Sequence, residues 1–145
     1  MGELTPKARA EKAAAAMWAS DRAIQHIGME IAEVDAGRAV LTLTVRPEHC
    51  NGHGICHGGI TFMLADSAFA FACNSRNQMT VAQHNAISYL APGQEGDVLR
   101  AEAREISLTG RSGLYDVTVT NQDNQVIAAF RGASRAVKGA VFEED

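Results

Sequence analysis

The period of the apolar positions changes at Glu30. Before it, an Ala-, Lys-, Arg- and Glu-rich stretch over residues 7–27 favours helix, with Met17, Trp18, Ile24 and Ile27 as its docking side. Ser20 or Asp21 suits a cap where one helix ends and a second begins. After Glu30, the residues Ile31, Val34, Val40, Leu41, Leu43 and Val45 fall in two β-rich runs. Asp35-Ala36-Gly37 divides them as a hairpin-like turn, and Pro47 stops the second. Residues 48–59 are a polar loop rich in Gly and His, whereas residues 60–73 are apolar nearly all round, the pattern of a helix buried on every side. Four further strands are predicted near 80–91, 97–107, 112–121 and 125–136, ended by Pro92-Gly93, Gly110 and the Asp123-Asn124 turn. Alternation is clearest in Tyr115-Asp116-Val117-Thr118-Val119-Thr120.

A single apolar helix between two strands and four strands can be hidden only if the sheet curls around it. The expectation is therefore one α+β domain over residues 1–145, an antiparallel sheet wrapped on a central helix. Residues 1–27 would be a peripheral helical segment, and 138–145 a flexible tail with a solvated Glu143-Glu144-Asp145 end.

Composition narrows the function classes. Hydrophobic residues at 46% and charged residues at 21% fit a globular chain rather than a disordered one. A net charge of −4 gives no general pull toward nucleic acid, so an anionic ligand needs a local cationic patch. The apolar run is short for a membrane span of about 20 residues and carries a charge in its middle, which argues against a membrane helix. Cys50, Cys56 and Cys73 cannot all pair within the chain, and no apolar secretory stretch opens it. A reduced, cytoplasmic protein is expected.

That mid-helix charge is Asp66. Between His57 and Arg76 it is the one ionisable side chain apart from the Cys73 thiol, and on helical spacing Phe62, Phe69, Ala70 and Cys73 share its face. Aspartate is a poor helix former, and an unpaired buried carboxylate costs several kcal/mol or shifts its pKa upward. It could serve stability by pairing with a strand cation, or sit at a hydrated helix edge. A catalytic role accounts for it better, because perturbed carboxylates cluster at active sites.

Immediately upstream, His57-Gly58-Gly59 precedes the first helical turn. Glycines there admit close approach to the backbone, and the first helical N–H groups are unpaired donors at the positive end of the helix dipole. Such a turn can hold the oxyanion of an attacked carbonyl. Gly58 and Asp66 are, however, roughly 12 Å apart along one helix, too far for one carbonyl to touch both. Two copies with antiparallel helices would bring one helix start to the middle of the other, so active sites are expected at a two-fold interface.

His49, Cys50, His53, Cys56 and His57 crowd into nine positions, a density that suggests zinc. Five residues separate Cys50 from Cys56, outside the usual spacing of structural sites. No metal is assigned. His26 and His84 are isolated, and no nucleophile elbow or phosphate-binding glycine loop occurs.

Taken together, several stretches resemble the phenylacetic-acid-degradation thioesterases of the hotdog superfamily. They are Asn51, His57-Gly58-Gly59, Leu64-Ala65-Asp66, Ala68-Phe69-Ala70-Phe71-Ala72, Cys73-Asn74-Ser75, Tyr89-Leu90-Ala91-Pro92-Gly93, Gly96-Asp97 and Gly110-Arg111. The resemblance covers nearly all of the chain after the N-terminal helix. It implies dimers joined edge to edge, usually a tetramer, and hydrolysis of aryl- or phenylacetyl-type acyl-CoA without a cofactor. Asp66 would be general base or nucleophile, Asn51 would orient the water or the carboxylate, and Gly58 or Gly59 N–H would polarise the thioester carbonyl. His57 would shape the turn or bind near the thioester. Phe62, Arg111 and Arg135 are the candidate substrate- and CoA-binding residues, Lys138 a further cation beside them. Two rivals share the fold: hydration of an enoyl-CoA, and a non-catalytic acyl-CoA-binding module.

Overall fold

The computed structural model describes residues 2–144. Thr5 opens helix α1 (Pro6–Ser20), its hydroxyl accepting the Ala8 N–H at 3.0 Å with Pro6 in the first turn. Asp21 then does both jobs expected at the break. Its N–H donates to the Trp18 carbonyl, and its carboxylate caps α2 (Arg22–Ile27) by accepting the Ile24 N–H at 3.1 Å. Gly28, at φ +93°, ends α2 in the left-handed conformation.

Strands β1 (Glu30–Asp35) and β2 (Arg38–Thr44) follow, joined at Gly37 (φ +72°). The Gly37 N–H donates to Ser75 Oγ at 2.8 Å, which ties this hairpin to the end of the central helix α3 (Gly58–Cys73). Then come β3 (Thr80–Tyr89), β4 (Val98–Thr109), β5 (Ser112–Thr120) and β6 (Val126–Ala136). All pair antiparallel in the order β1-β2-β4-β5-β6-β3, so β3 and β1 are the two edges. Inner-face residues Leu41, Leu43, Leu99, Ala101, Tyr115, Val117, Ala128 and Phe130 close on Leu64, Ala65, Ala68, Phe69 and Ala72 of α3. Phe69 meets Tyr115 and Phe130 ring to ring, with centroids 5.5 and 5.9 Å apart.

Two expectations change. The helix is not buried on every side: Gly59, Phe62, Met63, Asp66, Ala70 and Cys73 form a stripe at three- and four-residue spacing that the sheet leaves partly open. One six-stranded sheet curls far enough to cover one side of a helix but not to close on itself. The tail is not loose either, as far as Glu144. Asn77 Oδ1 accepts the N–H groups of Val141 and Phe142, its Nδ2 donates to the Phe142 carbonyl and to Glu144, and Arg9 pairs with Glu144 at 2.9 Å. Asp145 lies outside the described residues. No helix among the described residues is long and apolar enough to cross a membrane.

Candidate active site

Edge strand β3 runs antiparallel to α3 along its open stripe, and three side-chain contacts fix the register between them. Near the helix end, Asn74 Oδ1 accepts the Thr80 N–H at 2.9 Å while its Nδ2 donates to the Ala70 and Thr80 carbonyls. At mid-helix, Asn85 Nδ2 donates to Asp66 Oδ1 at 2.9 Å. At the helix start, Tyr89 Oη donates to the Gly58 carbonyl at 2.8 Å.

Asp66 is half-buried. Burial pushes its carboxyl above the ordinary aspartate value, and the Asn85 hydrogen bond pulls partly back. The strand cation that a purely structural role would require is absent among the described residues; a neutral amide takes its place. Asp66 Oδ2 takes no hydrogen bond from the described residues. Cys73, on the same stripe, has its thiol pushed up to about 12, first by burial and then by the Asp66 charge, so it stays protonated.

The upstream turn is built differently from the simplest expectation. His57 is the N-cap of α3, and its Nδ1 accepts the Gly59 N–H at 2.9 Å. That donor is spent, and the Ile60 and Thr61 N–H groups donate to the His57 carbonyl, which leaves the Gly58 N–H as the first-turn donor without a partner among the described residues. A Cβ at Gly58 would meet the Tyr89 ring at 3.2 Å, so any larger residue there would have to push that ring aside by a few tenths of an ångström. Asn51 sits in the preceding loop, where its Oδ1 accepts the N–H groups of His53 and Ile55 at 3.0 and 3.4 Å. Its Nδ2 alone is left to orient anything else, and within this chain it is Asn85, not Asn51, that holds the carboxylate.

The remaining candidates fall elsewhere. Phe62 packs edge-on against Phe130, with centroids 5.5 Å apart, one turn from Asp66 on the open stripe. Arg111 lines a surface cleft with Gln78, Val137 and Lys138, and Arg135 donates to Ser112 Oγ on the outer face of the sheet. That cleft adjoins the Cys73 end of α3, roughly 22 Å along the helix from Gly58 at about 1.5 Å per residue. One chain therefore holds three separate groups: the Gly58 turn, the Asp66 carboxylate and a cationic cleft. Within the His- and Cys-rich loop, His49 is buried and bonded through both ring nitrogens to Arg46, and Cys50 faces Cys56 across a β-bridge.

Asn85 carried no sequence signal of its own, and Tyr89 drew attention only as part of a similar stretch. A carboxamide on a strand destined for the helix face would have been the cue for Asn85. The strand's alternation is too weak to reveal which parity faces inward.

The profile of the thioesterase superfamily matches residues 53–128, a span holding the His57-Gly58-Gly59 turn, Asp66, Asn85 and Tyr89. The chain belongs to the thioesterase superfamily. Within it, the acyl-coenzyme A thioesterase PaaI of Escherichia coli is 41% identical over 129 residues, covering 89% of this chain and 92% of that protein. The solved structure of E. coli PaaI, from the phenylacetic acid degradation operon, superposes with a TM-score of 0.92 over 94% of this chain and 99% of that one, at 40% identity. A Streptococcus mutans protein solved with acetyl-CoA bound matches at 26% identity and a TM-score of 0.75, over 78% and 91% of the two chains. The curled sheet on a central helix is thus the hotdog fold of this superfamily, and the resemblance read from the motifs holds at the level of the family.

Proposed function

We propose that this thioesterase hydrolyses aryl- or phenylacetyl-type acyl-CoA to the free acid and CoA in phenylacetate degradation, at sites completed by a second copy of the chain. The observation that carries the reading is the half-buried Asp66 carboxylate, held by a neutral donor on the face of α3 that the sheet leaves open. The name and operon of the E. coli relative support the substrate class.

In this reading a water molecule gives its proton to Asp66 and attacks the thioester carbonyl. A positioned carboxylate in that role contributes on the order of 10²–10⁴-fold. The Gly58 N–H of the second copy stabilises the oxyanion, a contribution of about 3–4 kcal/mol. The C–S bond then breaks and the CoA thiolate leaves without needing a strong acid. Asn51 Nδ2 helps to orient the water, His57 holds the turn in shape, and Phe62 lies against the acyl group. Arg111, with Lys138 beside it, meets the CoA phosphates, and Arg135 lies nearby on the outer face. The second copy adds along β3, whose outer edge is unpaired and whose side chains Val81 and Tyr89 stand about half exposed. Pairs of such dimers form the tetramer.

The deciding experiment is thiol release from phenylacetyl-, hydroxyphenylacetyl-, benzoyl- and straight-chain acyl-CoA by the wild type and Asp66→Asn. Arylacetyl preference with collapse in the variant, its oligomer intact, supports the reading. An unimpaired variant sinks the Asp66 mechanism, and consumption of an enoyl-CoA without thiol release favours a hydratase.

A further inference from the structure

The carboxamide of Asn85 is used at one end only. Its Nδ2 donates to Asp66 Oδ1 at 2.9 Å, while its Oδ1 is closed off from solvent and takes no hydrogen bond from the described residues. A buried acceptor without a partner costs its full desolvation, and an apolar side chain of the same shape would avoid that cost. Asn85 is therefore poorly explained as a stabilising residue. It is well explained by what its other end does to Asp66.

A carboxylate that must take a proton needs to be fixed in direction without being neutralised. A lysine or arginine at this place would fix it, but the positive charge would hold the proton affinity down and weaken the base. An apolar residue would leave the carboxylate free to rotate within its well. A neutral N–H donor fixes one oxygen and adds no charge. Asn85 fits these terms: it comes from a strand register-locked to the helix on both sides, by Asn74 with Thr80 and by Tyr89 with Gly58. It occupies Oδ1 and leaves Oδ2 without a partner among the described residues. The other titratable group that bears on Asp66 is the Cys73 thiol, which stays neutral.

We infer that Asn85 is the positioning residue of the reaction, anchoring Asp66 through Oδ1 so that Oδ2 faces the water to be deprotonated, at the cost of its own unsatisfied carbonyl. The inference rests on the hydrolase reading above and adds a residue to it.

The test is Asn85→Leu, close in shape and without the donor, measured by thiol release across pH on the intact protein. Positioning predicts a kcat lower on the order of 10- to 100-fold with KM changed little, the loss expected when a hydrogen bond to a charged group is removed. The acid limb of the profile moves to higher pH, because a donor to the ionised form is gone, and the melting temperature does not fall. Asn85→Ser, which restores a donor, recovers part of kcat and returns the limb toward wild type. Asn85→Val, suited to a strand, gives the same readings should the leucine variant fail to fold. An unchanged kcat, or a lower kcat with an unmoved acid limb and a lower melting temperature, overturns the inference. So does a change of oligomeric size at constant kcat, which would place the partner of Asn85 Oδ1 in a second copy. Asp66→Asn separates the two levels: a dead Asp66 variant beside a fully active Asn85→Leu rejects this inference alone, whereas a wild type without thiol release rejects the hydrolase reading and this inference with it.

Discussion

Tyr89 Oη donates to the carbonyl of Gly58 across 2.8 Å, joining the last residue of β3 to the first residue of α3. The edge strand thereby steadies the turn whose N–H is assigned to the oxyanion. Tyr89→Phe removes that hydrogen bond and keeps the ring, and should lower kcat/KM by about fivefold, corresponding to about 1 kcal/mol. Gly58→Ala should do more damage, since the new Cβ would press on the same ring at 3.2 Å. Steady-state thiol release compares them, and equal rates in all three proteins would contradict the assignment.

Asp66 also makes a prediction about stability. Its pKa in the folded chain is raised, first by burial, so the folded protein favours the protonated form. Any stabilisation from this group is complete below the ordinary aspartate pKa and is lost as pH rises through the folded value. Asp66→Asn should therefore melt no lower than wild type at neutral pH, with its advantage shrinking as pH falls toward the ordinary aspartate pKa. Melting curves over that range decide it. A variant that is less stable at neutral pH would mean that the charge holds the fold together.

Arg111 and Lys138 line one cleft at the opposite end of α3 from the Gly58 turn. Removing either charge should raise KM for an acyl-CoA by about tenfold and leave kcat unchanged, since phosphate contacts made equally in ground and transition states are uniform binding. The check is an acyl-pantetheine ester without the nucleotide phosphates, for which the variants should match the wild type. A KM effect that persists with the short ester would move the phosphate site elsewhere.

The core offers a test independent of activity. A Cβ at Gly132 would stand 2.8–2.9 Å from the ring of Phe69, which Tyr115 and Phe130 hold from other sides. Gly132→Ala should cost about 1–3 kcal/mol of stability through overpacking, read from urea unfolding with the slope unchanged. A loss within experimental error would show that the ring has room to move.

At the sheet edge, Val81→Lys places like charges on both copies of a strand proposed to pair with itself. The expected outcome is a smaller particle by light scattering, an unchanged circular-dichroism spectrum and little thiol release. A monomer with full activity would exclude the shared site.

Much of this was legible in residue order, and what was not shares one physical cause. The central helix announced itself because only a wrapped element can be apolar over so long a run, and Asp66 stood out against it. Asp21 and Gly37 were readable because capping and positive φ select few residue types. What escaped were consequences of side chains meeting across the fold. The Gly59 N–H is consumed by His57, and the tail is fastened by Asn77, more than sixty positions upstream. The helix's open stripe likewise depends on how far the sheet curls, which no local period encodes.

The irregularity in β3 carries one more implication. Ala82 stands opposite Ser134, but His84 stands opposite Ala133, so Gln83 is an extra residue and the inward parity changes there. Downstream of it, Asn85, Ile87 and Tyr89 face the helix, in place of His84, Ala86 and Ser88. Deleting Gln83 would leave a regular strand with the same three residues inward, whereas pairing that absorbed Gln83 into the ladder would set an imidazole in place of the carboxamide against Asp66, and withdraw the phenol from Gly58, with the sequence unchanged. A neutral donor would give way to a second base. The chemistry along this groove thus depends on one bulge as much as on the residues that line it.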